Sequence, residues 1–210
     1  GRRQRQMCIR DRNGTAGISL ATTNITVTDQ VDKSEADTIN AYTTGQVVLN
    51  SSSMTVSELA AVEALNDSEM KFADNGAISV SDAATLANAN TINNYTTGQV
   101  TLTSVSDTVS NITSIDGLTT TEVTMAGATV SITDTGASKA QVDTVNGFTT
   151  GTVTPTSVSE DKADLATLNG TTGISLATTN ITVTDAVSLS QAQTINGYTT
   201  GTVTLNSVSD

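Results

Sequence analysis

The sequence predicts an α/β fold: a right-handed parallel solenoid with short strands and one short helix per coil of about 22–30 residues, long and short coils alternating. Three observations predict it. The phrase Asn-x-(Tyr/Phe)-Thr-Thr-Gly recurs at 40–45, 93–98, 146–151 and 196–201. Its glycines, Gly45, Gly98, Gly151 and Gly201, stand 53, 53 and 50 residues apart. Within each period, stretches with apolar residues at every second position give way to stretches with apolar residues three apart.

Cutting the chain before each Thr-Thr pair divides residues 14–210 into coils 14–42, 43–66, 67–95, 96–118, 119–148, 149–170, 171–198 and a partial coil 199–210. The repeat period is therefore one long and one short coil. Together they are read as a single repeat solenoid.

Each coil opens on a strand. Val100-Thr101-Leu102-Thr103, Ile181-Thr182-Val183-Thr184 and Val203-Thr204-Leu205-Asn206 place apolar side chains on one face and hydroxyls or an amide on the other, as half-buried strands do. Long coils carry two such stretches, as in Ile18-Ser19-Leu20 followed by Ile25-Thr26-Val27.

A short helix follows. Val109, Ile112, Ile115 and Leu118 form one buried stripe. Leu86, Ala89, Ile92 and Tyr95 form another, and Leu189, Ala192, Ile195 and Tyr198 a third. Asp82, Asp107, Asp185 and Ser188 are placed to cap the first turn of the helix that follows each of them. Asp116-Gly117, Asn146-Gly147, Asn169-Gly170 and Asn196-Gly197 predict a left-handed closure at the helix end. Tyr42, Tyr95, Phe148 and Tyr198 return the chain to the core, and Thr-Thr-Gly starts the next strand. Coils in register make parallel strands joined by right-handed crossovers. One coil cannot bury enough surface to fold alone, so neighbours supply the stability.

Residues 1–13 are read as a non-native or disordered leader. The first twelve hold all five Arg and the single Cys, Cys8, and share nothing with the repeats. The MCIRDR stretch resembles a translated linker, and the chain reads as a fragment of a longer protein. Segment 67–76, with Met70, Lys71 and Phe72, is the least regular and is expected to form a loop or insertion. Pro155 occupies an inward strand position and is expected to bulge or weaken its strand by removing an N–H donor.

The chain carries a net charge of −12. Such a balance argues against nucleic acid and anionic membranes, which bind through Lys and Arg. The 42 threonines and 2% aromatics suit a thin, one-dimensional core better than a conventional globular one.

The phrases Ile78-Ser79-Val80-Ser81-Asp82 and Ser104-Val105-Ser106-Asp107, each followed by a short helix, resemble the β-strand-repeat or α/β-solenoid segments of large secreted or cell-surface, adhesin-like bacterial proteins. The resemblance covers residues 14–210. It implies an extracellular or cell-surface location and a noncatalytic spacer or scaffold role connected with adhesion. Partners would be neighbouring repeats of the same chain, with cell-surface or polysaccharide ligands as further candidates.

No catalytic constellation is visible, so the chain is not read as an enzyme. It has no His, and no GxSxG phrase accompanies its serines. No cofactor is expected. Two alternative readings make the chain a binding module. In one, carboxylates at equivalent strand ends (Asp29, Asp82, Asp107, Asp134, Glu160, Asp185 and Asp210) form a row. Oxygen ligands suit Ca2+, with Asp82, Asp107 and Asp134 as the candidate ligands. Against this, neither the EF-hand loop nor the glycine-rich Ca2+ repeat is present, and helix capping accounts for the same residues. In the other, Thr101, Thr103, Thr152, Thr154, Thr182, Thr184, Thr202 and Thr204 line the outer strand face and contact polysaccharide or ice. Threonine's strand propensity explains the same pattern. Asn40, Asn93, Asn146 and Asn196 are candidates for a hydrogen-bonded ladder or for simple helix C-capping.

Overall fold

The computed structural model describes residues 19–118 and 122–209. The leader with Cys8, and also Ile18 and Asp210, lie outside the described residues. The fold is α/β, with strands paired in parallel and seven helices among the described residues. The described residues divide into two compact units, one of residues 19–82, 87–101 and 122–123, the other of 83–86, 102–118 and 124–209.

In the first unit, strands β1 (Ile25–Val31), β2 (Val47–Met54) and β3 (Met70–Ala84) alternate with helices α1 (Lys33–Asn40) and α2 (Val56–Glu63). Helix α3 (Leu86–Asn93) follows, and then strand β4 (Val100–Asp107), of which Leu102–Asp107 belongs to the second unit. Strands β1, β2 and β3 pair in parallel, stacking Ile25 on Val47 on Met70 and Val27 on Leu49 on Phe72. Val47, Leu49, Met70 and Phe72 are buried. The alternation of the sequence thus becomes columns of apolar side chains running from coil to coil.

The second unit continues with α4 (Val109–Asp116), β5 (Val123–Thr124), β6 (Thr129–Ile132), α5 (Lys139–Asn146), β7 (Val153–Pro155), β8 (Ser157–Glu160), α6 (Lys162–Gly170), β9 (Asn180–Val187), α7 (Leu189–Asn196) and β10 (Val203–Val208). Val105 stacks on Val130 on Val153, and Val158 on Ile181 on Val203. Six helices bury a pair three residues apart, such as Ile112 with Ile115 and Leu165 with Leu168; α7 departs from its expected stripe, burying only Ile195 while Ala192 is half-buried and Leu189 is 67% exposed.

Several local expectations are corrected. Within segment 67–76 only residues 67–69 form a turn: β3 begins at Met70, and Met70 and Phe72 lie in the core. The insertion is real but sits inside the strand, because Leu49 pairs with Phe72 while Ser51 pairs with Ala77. Phe72 anchors it by stacking on Tyr95, with ring centroids 6.1 Å apart. Ser19 and Leu20 are not strand residues.

The glycines at helix ends are not left-handed. Gly117 and Gly197 hold φ −72°, and α6 runs on through Gly170. The last turn tightens instead: Phe148 and Tyr198 donate their N–H to Val145 and Ile195, three residues back, so no left-handed residue is required. Pro155 does break its strand. β7 ends at it, β8 starts two residues later, and Thr156 N–H reaches Ile132 O from the bend between them.

Candidate functional site

The repeated residues converge on the junctions between successive coils. The Thr-Thr-Gly phrase forms a clasp there. The first Thr of each phrase (Thr43, Thr96, Thr149 or Thr199) is buried. Its hydroxyl donates to a backbone carbonyl of the preceding coil: Thr43 to Thr23 O at 2.7 Å, Thr96 to Gly76 O at 2.6 Å, Thr149 to Ala128 O at 2.6 Å and Thr199 to Thr179 O at 2.6 Å. The same hydroxyl accepts the N–H of the glycine two residues on. Both capacities of a buried hydroxyl are thereby filled.

The second Thr grips two residues further back. Thr44, Thr97, Thr150 and Thr200 direct both N–H and hydroxyl to Ala21 O, Asp74 O, Ala126 O and Ala177 O. The glycine allows the approach. A Cβ on Gly45 would lie 2.6 Å from Thr23 O, and Gly98, Gly151 and Gly201 meet Gly76 O, Ala128 O and Thr179 O in the same way. No side chain fits against a carbonyl at that distance. The sequence marked this phrase as repeated but not as a clasp; its invariance at all four sites was the available clue.

The strand-end carboxylates form a second connection. Asp82 accepts the N–H of Val56 at 2.8 Å, Asp107 that of Leu86 at 2.9 Å, Asp134 that of Val109 at 2.6 Å, Glu160 that of Lys139 at 2.5 Å and Asp185 that of Lys162 at 3.0 Å. Each therefore caps the first turn of the helix in the preceding coil, which corrects the expectation that Asp82, Asp107 and Asp185 cap the helix after them. A free N–H at a helix start favours a negative acceptor. The helix's own cap comes from Asp32, Thr55, Thr108, Ser138, Asp161 and, as expected, Ser188. Four of these caps form reciprocal capping boxes with Glu35, Glu58, Gln141 and Gln191. Met54 stands in coil 43–66 where the other short coils carry the acid, immediately before the cap residue.

Burial pushes the Asp107 carboxyl upward. The N–H of Leu86, the Asn111 side-chain amide and the N–H of Thr108 outweigh it and hold the group below the usual carboxylate range. Asp185 is held low mainly by the Lys162 ammonium at 2.8 Å, against its desolvation and with help from the Lys162 N–H. Among the described residues, no group of three or more acids, Cys or His converges as metal ligands would. Asp82, Asp107 and Asp134 each face a different helix start.

Asn40 and Asn146 also reach forward along the chain, to residues 29 and 26 positions on, but not to each other. Asn40 donates to Glu69 Oε1 at 3.0 Å and Asn146 to Thr172 O at 3.2 Å. Asn40 Oδ1 is buried without a hydrogen-bond partner among the described residues.

The outer-face threonines lie where the alternation places them. Thr101, Thr103, Thr152, Thr184, Thr202 and Thr204 are exposed, and Thr154 and Thr182 half-buried. In the second unit Thr204 stands beside Thr182, Thr182 beside Ser159, and Thr154 beside Ser131. In the first unit the corresponding row reads Thr26, Val48, Lys71. An open groove of about 400 Å³ borders the clasp between Asp74 and the 93–97 segment. No helix of the described residues is long and apolar enough to cross a membrane.

No protein-family model, curated protein or solved structure matches the chain.

Proposed function

We propose that residues 14–210 are a noncatalytic structural repeat segment, a spacer or scaffold built as a solenoid, within a large extracellular or cell-surface bacterial protein concerned with adhesion. The observation that carries this reading is the clasp. The most faithfully repeated residues of the chain are spent holding each short coil to the long coil before it. The strand-end acids add a bond across the junctions they serve. Such a chain transmits length and stiffness, and its repeats gain stability from nearest neighbours. Small-angle scattering of residues 13–210 tests it. A spacer gives a particle much longer than it is wide, whereas a compact sphere would refute the solenoid.

The hydroxyl rows of the second unit favour one alternative, a face that binds polysaccharide or ice. Replacing Thr182 and Thr204 by Val separates the two readings. Spacer function leaves the melt unchanged and no ligand retention to lose. The calcium reading is tested by a circular-dichroism melt of residues 13–210 in EDTA and in millimolar Ca2+. Equal folding in both is expected, because Asp82, Asp107 and Asp134 already accept backbone N–H groups.

A further inference from the structure

The dipeptide Asn-Gly occurs at 75–76, 146–147, 169–170 and 196–197 among the described residues. It is the dipeptide most open to deamidation. In that reaction the nitrogen after Asn attacks the side-chain amide carbon, and on Gly no Cβ stands in its way. The fold decides which of the four is free to react.

Three of them end helices. Asn146 and Asn196 are the last residues of α5 and α7, and Gly170 is still within α6. Gly147 donates its N–H to Asp143 O and Thr144 O at 3.1 Å, and Gly197 donates to Gln193 O at 3.2 Å and Thr194 O at 3.0 Å. A helix points each N–H along its axis to a carbonyl behind it, away from the side chain it would attack. The Asn146 amide is engaged as well, donating to Thr172 O at 3.2 Å.

Asn75-Gly76 is set differently. It lies inside β3, where residues 73–76 stand opposite the single Asn50, between the pairs Leu49–Phe72 and Ser51–Ala77. Asp74 and Asn75 are exposed there, and Gly76 is buried. Asp74 O and Gly76 O, on either side of Asn75, are the carbonyls gripped by Thr97 and Thr96 of the clasp. The segments gripped by the other three clasps read Ala21-Thr22-Thr23, Ala126-Gly127-Ala128 and Ala177-Thr178-Thr179, with no asparagine.

We propose that Asn75-Gly76 is a self-modification site, at which the folded chain deamidates and loosens the clasp of Thr96-Thr97-Gly98. The Gly76 nitrogen gives up its proton and bonds to Asn75 Cγ. The Cγ–Nδ2 bond breaks and Nδ2 leaves as ammonia, closing a succinimide ring. Water opens the ring at either carbonyl, leaving an aspartyl or an isoaspartyl residue. Water is the only reactant required. Both products add a negative charge beside Asp74. The isoaspartyl form also lengthens the main chain by one atom, between the two gripped carbonyls. The clasp has no slack to absorb it: a Cβ on Gly98 would lie 2.4 Å from Gly76 O and 2.5 Å from Asn75 O.

The test incubates the whole 210-residue chain in mildly alkaline buffer, folded and in urea, and follows each Asn-Gly by mass spectrometry of its peptides. Asn13-Gly14, outside the described residues, is scored apart. In the folded chain Asn75 should deamidate at least tenfold faster than Asn146, Asn169 or Asn196. Isoaspartyl product marks the ring, since direct hydrolysis of the amide gives none. In urea the four rates should come within threefold of one another. Asn75 no faster than the others when folded, or tenfold faster in urea as well, overturns the proposal. Asn75→Gln, whose longer side chain disfavours the ring, ties the reaction to the clasp. On ageing, the unsubstituted chain should lose melting temperature that Asn75→Gln keeps; equal loss in both overturns the loosening.

Discussion

Thr149-Thr150-Gly151 and Thr171-Thr172-Gly173 are the same tripeptide, little more than one helix apart in one unit, and they act differently. Thr149 buries its hydroxyl and bonds it to Ala128 O in the coil before. Thr171 turns its hydroxyl back to Thr167 O of its own helix. Gly151 is needed for close approach to a neighbouring carbonyl, with no positive φ; Gly173 is needed because its φ is +88°. The residues just before explain the difference. Asn146-Gly147-Phe148 precedes the first, Asn169-Gly170 the second. Phe148 spans the step from helix end to core and delivers Thr149 inward. Without an aromatic, Thr171 itself ends α6 in an extended conformation, and its N–H is used on Leu168 O. A motif of three residues takes its role from where the preceding helix stops.

The contrast can be broken most strongly at the glycines. Gly151→Ala forces a methyl onto the Ala128 carbonyl, and overpacking of this kind should cost ~3 kcal/mol in urea unfolding. Gly173→Ala meets only the Asn146 side chain, which can turn aside, plus the left-handed backbone penalty of ~1–2 kcal/mol. Equal losses at both sites would show that Gly151 is not held by contact. The threonines come next. Thr149→Val deprives Gly151 N–H and Ala128 O of a shared partner and should cost ~2 kcal/mol. Thr171→Val, at a half-buried hydroxyl, should stay within ~0.5 kcal/mol.

The carboxylates are expected to have a smaller effect than Gly151 or Thr149. Asp107 and Asp185 are held below the ordinary carboxylate range in the folded chain. Their contribution is therefore complete above about pH 4, the unfolded value, and is lost as pH falls through the folded one. Asp107→Asn should lower stability at pH 7 by ~1 kcal/mol, limited by water screening of a half-buried group. It should also flatten the decline below pH 4, measured as melting temperature against pH. A steeper decline in the variant would mean that the acid is not stabilised by its helix.

Much of this was legible in the residues. The alternation in Val100-Thr101-Leu102-Thr103 places Val100 and Leu102 in the core and both threonines outside, as found. The three-residue spacing in Val109-Ile112-Ile115 identifies α4 and its buried pair. These depend on local periodicity, which a sequence states directly. Asp107 was recognised as a cap but assigned to the wrong helix, because sequence distance favours Val109 while the stacked coils bring Leu86 N–H to 2.9 Å. In the sequence Thr149 reads only as a strand opener, because its acceptor, Ala128 O, is 21 residues away. Segment 67–76 looked irregular because three extra residues break its pairing register, yet Met70 and Phe72 stay in the core columns set by β2.

By itself, then, the sequence determined the repeat, the alternation of parallel strands with short helices, and most of the side chains that face inward, since each follows from spacing along one stretch of chain. Only the tertiary structure decided which coil each hydroxyl and carboxylate would hold. A hydrogen bond depends on distance in space, and stacking parallel strands side by side brings residues more than twenty positions apart into contact.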